Sequence, residues 1–226
     1  MATEYNLMSQ LVFKFPFKAK YYEQDYYVSS NNFSAYRLIE SWPNWPDKWV
    51  NIFGPKGCGK THLSNILKEK INSVEILDAR NIDDETILKF DKLDCLVIDN
   101  YKKNIDEKLF YSILNQSKQL DNYVVINSIL PIKDIDFKLQ DLKSRAKSFV
   151  NLGIELPTDD LLRVIISKSF SDKQISINPK LSDYIIKNIE RSYEKVFKFI
   201  KEIDDLSLSS GKSININLIK KVLMNE

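Results

Sequence analysis

The sequence contains little histidine, cysteine or glycine. Its 226 residues include one histidine, two cysteines and five glycines. Because His62 is the only histidine, a multi-histidine metal site and a Ser–His or Cys–His nucleophile pair are excluded. Five glycines leave little room for long flexible linkers. Cys58 and Cys95 provide no disulfide framework, which fits a reducing compartment.

An excess of one charge and long apolar runs are also lacking. Lysine and arginine number 33 against 31 acidic residues, a formal net charge of +2. No strong positive field is therefore available to hold a nucleic-acid backbone. No apolar run approaches the ~20 residues that a membrane span requires, and the N-terminus lacks the apolar core of a signal peptide. We expect a soluble protein of the cytoplasm that contacts no membrane.

Alternating strand-like and helix-like segments predict an α/β domain with a parallel sheet and right-handed crossovers. The strand-like runs are Trp49–Phe53, Val74–Leu77, Cys95–Ile98 and Tyr123–Ile126. Strand signals vanish after Pro157, where capping residues and helical periodicity predict only helices. These helices are Thr158–Phe170, Asn178–Ile189, Arg191–Leu208 and Leu218–Met224. The predicted domains are an extended tether (1–20), a nucleotide-binding α/β domain (21–156) and a helical domain (157–226).

Residues 54–61 read GPKGCGKT, a full match to the phosphate-loop pattern G-x-x-x-x-G-K-[ST] between a strand and a helix. Such a loop turns backbone N–H groups and a helix N-terminus toward phosphates, while Lys60 meets the β/γ-phosphates and Thr61 ligates Mg²⁺. The alternative is a glycine-rich turn that matches by chance. The predicted nucleotide contacts are Gly54, Pro55, Lys56, Gly57, Cys58, Gly59, Lys60, Thr61 and His62.

The strand Cys95–Ile98 ends at Asp99, which a parallel sheet would deliver to its carboxyl edge. There it can hold Mg²⁺ through water. Asn100 follows, where an active ATPase of this architecture usually presents a second carboxylate, and an amide cannot act as a general base. Intrinsic hydrolysis is therefore expected to be weak. The alternative is that Asp99 and Asn100 merely end a strand.

Several segments in order resemble the AAA+ domain of the replication initiator DnaA and its shortened relatives, the Hda-type regulators. The resemblance runs from about Gln10 to the C-terminus, and it implies an AAA+ P-loop NTPase: a parallel sheet flanked by helices, plus a C-terminal helical lid. The segments that resemble DnaA and its shortened relatives are the loop GPKGCGKTHL, the strand ending at Asp99, Asn127-Ser128, the arginine-finger segment Leu139–Arg145 and the sensor-2 start Ile189–Lys195. In addition, Ser41–Gly54 resembles the Trp-Pro-rich segment of alphaproteobacterial Hda-like proteins.

The resemblance implies roles for individual residues. Arg145 would be an arginine finger that reaches the γ-phosphate held by a neighbouring subunit; alternatively it is a surface arginine in a basic helix. Arg191 would be the sensor-2 arginine that reaches from the lid to the phosphates, or else one half of a surface ion pair. Asn127 stands at sensor 1, where relatives commonly place threonine or another small polar residue. Tyr27 and Val28 would enclose the adenine ring, although core packing explains them nearly as well.

Near the N-terminus, Gln10–Phe15 resembles the short peptide by which Hda docks on the DNA polymerase III sliding clamp. In that interpretation an extended segment inserts Leu11 and Phe13 or Phe15 into an apolar pocket, while Gln10 supplies hydrogen bonds. The alternative is a strand that covers the α/β core.

The resemblance thus implies a regulator that binds ADP or ATP with Mg²⁺, docks on the clamp, and presents Arg145 to ATP-bound DnaA so that initiation is restrained. DnaA itself carries a further helix-turn-helix domain, and this chain ends at Glu226 without one, so we expect no sequence-specific DNA binding. A homodimer is left open. Two alternatives remain: an adaptor or loader-like AAA+ protein that recruits DnaA or helicase without activating hydrolysis, and, least favoured, a small-molecule P-loop kinase.

Overall fold

The structure, a computed structural model, describes residues 23–211 and 213–224. Described residues up to Leu156 form one compact unit, and those from Pro157 onward form a second. Among the residues that the structure describes, no helix combines the length and apolar character needed to cross a membrane. The predicted clamp-binding residues all precede residue 23 and lie outside the described part of the chain: Gln10, Leu11, Phe13 and Phe15.

The first unit is built on a parallel sheet, because its short apolar runs are buried on both faces as parallel strands require. Its strands are β1 (Trp49–Phe53), β2 (Val74–Asp78), β3 (Cys95–Tyr101), β4 (Tyr123–Ser128) and β5 (Val150–Gly153). Within the described residues the sheet has five strands in the order β2-β3-β4-β1-β5, and every neighbouring pair is parallel. The predicted parallel sheet is confirmed.

Two strand predictions need correction. β3 continues to Tyr101 beyond its predicted end at Asp99, because Tyr101 pairs with Ser128 of β4. Between Ile98 and Tyr101 the register with β4 shifts, and Asn100 takes a left-handed φ of 58°. This returns the Tyr101 side chain to the core, where it is 2% exposed. β5 was not predicted, since its four residues pair only with β1 and are too short for a periodic signal.

The helices of this unit cover the sheet. They are α1 (Phe33–Glu40), α2 (Lys60–Lys70), α3 (Asp84–Lys89), α4 (Glu107–Leu120) and α5 (Gln140–Ala146). In α4 the Asp106 side chain caps the first turn by accepting hydrogen bonds from the backbone N–H groups of residues 108 and 109. Its apolar face buries Phe110, Ile113 and Leu114 at helical spacing against the sheet.

The described residues of the second unit form four helices and the loops that connect them. Its helices are α6 (Asp159–Ser171), α7 (Pro179–Asn188), α8 (Tyr193–Ser210) and α9 (Ile216–Met224). Side chains of Thr158, Asn178 and Ser192 cap the first three of them. Because Ser192 is the N-cap of α8, Arg191 precedes the helix, and the predicted start of that helix at Arg191 is wrong.

Candidate nucleotide-binding site

The phosphate-loop sequence forms the turn between β1 and α2, at the carboxyl edge of the sheet. All three glycines of the loop have a positive φ, and at two of them a Cβ would also stand too close to a neighbour. Gly54 has φ 155° and a Cβ there would stand 2.4 Å from the carbonyl oxygen of Ile154. Gly59 has φ 97° and a Cβ there would stand 2.9 Å from the ring of Tyr26. Since Gly59 directly precedes α2, the unpaired N–H groups of the first helical turn lie at the loop, which favours an anion.

Lys60 is the cation of the loop. Its Nζ atom donates to the carbonyl oxygens of Gly54 at 2.8 Å and Pro55 at 2.9 Å. Nζ also lies 3.6 Å from Sγ of Cys58. Burial raises the pKa of the Cys58 thiol, an effect that the nearby Lys60 charge only partly offsets. Cys58 therefore packs as a neutral thiol, and the Lys60 ammonium has neutral oxygens as its acceptors.

A hydroxyl, a carboxylate and an amide meet beside the loop. Thr61 Oγ1 donates to Asp99 Oδ2 at 2.7 Å. Nδ2 of Asn127 donates to Asp99 Oδ1 at 3.0 Å and to Oγ of Ser64 at 2.7 Å. The Asn127 side chain is fully buried, yet its Oδ1 atom has no hydrogen-bond partner among the described residues. The structure thus brings together Thr61, Asp99 and Asn127, with oxygen groups of the kind that Mg²⁺ prefers.

Asn100 is tied to a residue that the sequence did not single out. Its Nδ2 atom donates to Asp78 Oδ2 at 2.8 Å. Arg80 binds the same carboxylate through Nε at 2.8 Å and Nη2 at 3.0 Å. Hydrogen bonds from Arg80, and then from Asn100, hold the pKa of Asp78 well below its usual range. The sequence does hold one indication of this role, because Asp78, like Asp99, follows a short apolar run that forms a strand.

An aromatic residue that lies against the loop is Tyr26. Its ring meets the His62 ring edge-on, with centroids 5.2 Å apart, and stacks on Tyr36 at 5.9 Å. Tyr27, predicted to enclose the adenine ring, is 44% exposed, and Val28 is half-buried. Sequence alone could not distinguish the two adjacent tyrosines, because nothing local decides which one turns toward Gly59.

Arg145 lies near the end of α5 and is half-buried, so it is not the freely exposed arginine of a basic helix. Its guanidinium carbon lies 4.4 Å from the ring centroid of Tyr111 and 5.8 Å from that of Trp49. Trp49 begins β1, whereas the phosphate loop follows the end of that strand. Five strand residues span about 16 Å. Arg145 is therefore at the opposite edge of the sheet from the phosphate loop of its own chain.

Arg191 lies in the helical unit. Its Nη2 atom is 3.1 Å from Asp159 Oδ1, and its side chain is 65% exposed. Arg191 thus forms a surface ion pair, the alternative to a sensor-2 role, but its partner is Asp159 and not Glu190 or Glu194, which are near it in sequence. Pairs this exposed contribute little stability. The basic residue in the first turn of α8 itself is Lys195.

Sequence comparison finds similarity to chromosomal replication initiator proteins named DnaA. No protein-family model matches the chain. It is similar to the chromosomal replication initiator protein DnaA of Buchnera aphidicola subsp. Cinara cedri, at 25% identity over 215 residues, which cover 84% of this chain and 48% of that protein. DnaA of Bacteroides thetaiotaomicron is 22% identical over 194 residues, covering 76% and 41%. The chain spans about half the length of the curated relatives it matches.

Solved structures show the same fold. Domain III of the Thermotoga maritima replication initiation protein DnaA matches with a TM-score of 0.74 at 17% identity, covering 93% of this chain and 98% of that one. A replication initiator DnaA bound to AMPPCP and single-stranded DNA matches at 0.66 with 20% identity, covering 83% and 65%. The Thermotoga maritima RuvB Holliday junction branch migration motor matches at 0.60 with 18% identity, covering 79% and 61%. The chain is thus similar in sequence to DnaA and shares the α/β fold of DnaA domain III.

Proposed function

We propose that this DnaA-related chain is a nucleotide-bound AAA+ regulator of the Hda type, which stimulates ATP hydrolysis by DnaA and thereby restrains replication initiation. The observation that carries the proposal is that the phosphate loop and Arg145 lie at opposite ends of strand β1. The phosphate loop follows β1 beside Asp99 and Asn100, whereas Arg145 lies at the other end of that strand. Because the length of β1, about 16 Å, separates the two ends of the strand, a phosphate that Arg145 contacts would belong to a second subunit.

An adenine nucleotide, ADP or ATP, fits the loop. The Lys60 ammonium rests on neutral carbonyl oxygens, and phosphate oxygens are stronger acceptors for it. The backbone of residues 54–62 would hold the phosphates, and Thr61 and Asp99 would hold Mg²⁺, which neutralises phosphate charge when bound. Tyr27 and Val28, with Tyr26 beside them, would lie against the base, and Arg191 is the proposed sensor-2 arginine of the helical unit. Mass analysis of the nucleotide released from purified protein tests this step; folded protein that neither carries nor takes up ADP or ATP would contradict it.

Weak hydrolysis by the chain itself follows from Asn100. A general base must accept a proton, which an amide cannot do at neutral pH. The buried Asn127 amide at the sensor-1 position lies against Asp99 and can contact a bound nucleotide without supplying such a base. A resident nucleotide would then serve as a structural ligand that keeps the regulator in one state.

Clamp docking is the part of the proposal that depends on sequence alone. Gln10, with Leu11 and Phe13 or Phe15, would bind the DNA polymerase III sliding clamp and bring the regulator to replicating DNA. The double variant Gln10→Ala with Leu11→Ala tests this step. It should no longer stimulate ATP hydrolysis by DnaA on DNA-loaded clamp, while the amount of nucleotide bound to the variant itself stays unchanged.

The decisive experiment measures ATP hydrolysis by ATP-loaded DnaA in the presence of DNA-loaded clamp. Adding this protein should accelerate conversion to ADP-bound DnaA by about tenfold or more, since arginine fingers contribute far more than that in related phosphoryl transfer. Arg145→Ala should remove the effect while the melting temperature stays close to that of the wild type. Unchanged DnaA turnover on adding the wild-type protein would refute the proposal.

One observation favours the adaptor alternative. Arg145 packs against rings of its own chain, as a purely structural arginine would. An adaptor that recruits DnaA or helicase without activating hydrolysis would keep its activity in a folded Arg145→Ala variant, whereas an activator would lose it. The same variant therefore decides between the two functions.

A further inference from the structure

We infer that Tyr111 is the positioning residue for Arg145, and that together with Trp49 it forms an aromatic seat for the guanidinium. This inference rests on the proposed role of Arg145 as the group that acts on a partner's phosphate. The guanidinium carbon lies 4.4 Å from the Tyr111 ring centroid and 5.8 Å from the Trp49 centroid. A planar guanidinium over an aromatic ring is held by dispersion and by the ring quadrupole.

The Trp49 side of the aromatic seat is rigid. Trp49 is only 8% exposed, and its Nε1 atom donates to Oγ of Ser117 at 2.9 Å. Its ring is stacked on Phe149, with centroids 5.6 Å apart and an interplanar angle of 30°. Tyr111 packs against the same core from α4, the helix that also carries Ser117. The seat therefore offers Arg145 a fixed surface.

Helix α4 holds α5 at both of its ends. The Glu107 carboxylate accepts hydrogen bonds from the backbone N–H of Lys138 at 2.9 Å and of Leu139 at 2.7 Å, directly before α5 begins. Tyr111, four residues after Glu107 and on the same face of α4, contacts Arg145 near the end of α5. The orientation of the short helix that carries Arg145 is thus set by two side chains of one neighbouring helix.

The seat orients the guanidinium without using up its N–H donors. A carboxylate would bind those donors and neutralise the charge, whereas a ring face binds the flat side of the group. Nη1 of Arg145 is buried and has no hydrogen-bond partner among the described residues. Nη1 is therefore closed to an incoming anion, which would bind the guanidinium N–H groups other than Nη1. The ligand that fits is the terminal phosphate of a nucleoside triphosphate held by a second AAA+ subunit.

The test compares Tyr111→Leu, which removes the ring, with Tyr111→Phe, which keeps the ring and loses only the hydroxyl. In the full chain, NMR would follow the Nε–H resonances of five arginines, and Arg145→Lys identifies the resonance of interest. We expect the Tyr111 ring to displace the Arg145 resonance in the wild type and in Tyr111→Phe, and the displacement to become clearly smaller in Tyr111→Leu, where only the Trp49 ring remains. In the DnaA assay, Tyr111→Leu should lower the maximal stimulation of DnaA ATP hydrolysis about tenfold, while the concentration of this protein that gives half of the maximal effect stays unchanged. Tyr111→Phe should stimulate as well as the wild type.

The outcomes separate this inference from the proposed function. If Tyr111→Leu stimulates DnaA as well as the wild type, or if its Arg145 resonance is at the wild-type position, the aromatic seat is refuted and the regulator proposal stands. If the wild-type protein fails to stimulate DnaA while the resonance still responds to Tyr111→Leu, the seat stands and the proposed function fails. Matching melting temperatures of the Leu and Phe variants exclude loss of folding as the cause.

Discussion

The side-chain amide of Asn100 donates a hydrogen bond of 2.8 Å to the carboxylate of Asp78. This bond joins the ends of β3 and β2, where Asp78 and Asp99 are register partners. Asn100 has a φ of 58°, a left-handed conformation that asparagine tolerates better than most residues. A second carboxylate, that of Asp78, is thus present near Asp99. It lies at the end of the neighbouring strand β2 and not directly after Asp99 in β3, and it is bound to Arg80.

Exchanging the two side chains should switch on intrinsic hydrolysis. The double variant Asp78→Asn with Asn100→Asp keeps an amide-to-carboxylate hydrogen bond but places the carboxylate directly after Asp99. Because a positioned general base contributes about 10²–10⁴-fold, we expect ATP turnover by the chain alone to rise at least tenfold. The measurement is ADP release at saturating ATP. Asp78→Asn alone is the matched control and should remain slow; a double variant that binds ATP normally yet hydrolyses it no faster would contradict the prediction.

The Asp78 carboxylate also predicts a pH dependence of stability. Its pKa is lowered in the folded state, mainly by hydrogen bonds from Arg80. The stabilisation is therefore fully present above the unfolded-state pKa of about 3.9 and is lost as the pH falls through the lower, folded-state value. We expect the difference in unfolding free energy between the wild type and Asp78→Asn to shrink below about pH 4. Denaturant titrations at about pH 6 to 2.5 measure this difference. The unfolding free energy of Arg80→Met should likewise depend less on pH than that of the wild type. If the difference between the wild type and Asp78→Asn stays constant down to the lowest pH, Asp78 is not the group responsible.

Gly59→Ala should impair nucleotide binding more than its effect on stability explains. At φ 97° an alanine is strained, and its Cβ would lie 2.9 Å from the Tyr26 ring. Gly211 provides the matched control, because it has φ 63° with no atom within 4 Å of a Cβ and lies at the end of α8. Each substitution should cost about 1 kcal/mol or more in unfolding free energy, but only Gly59→Ala should weaken ADP and ATP binding in a fluorescence titration. Equal affinities of both variants for nucleotide would remove Gly59 from the site.

The parts of the site that the sequence predicted are local in the chain. Residues 54–61 form one uninterrupted motif, and Asp99 directly follows a visible apolar run, so neither depends on how distant segments pair. The Asp78–Asn100 bond depends on the register between β2 and β3, and the contact of Arg145 with Tyr111 depends on how α5 packs on α4. Neither relationship leaves a periodic trace in a single sequence.

Anchoring of α5 by α4 predicts a local change in backbone protection. The Glu107 carboxylate accepts hydrogen bonds from the amides of Leu139 and Lys138, which together hold its pKa below the usual range. Glu107→Gln removes the charge that strengthens both bonds, so we expect the amides of Lys138 and Leu139 to exchange with deuterium faster while those of β3 and β4 do not change. Glu85→Gln is the matched control, because Glu85 pairs across exposed helix surface with Lys89. If Glu107→Gln leaves exchange at 138 and 139 as slow as in the control, the start of α5 is held by its own backbone and the two-ended anchoring by α4 is wrong.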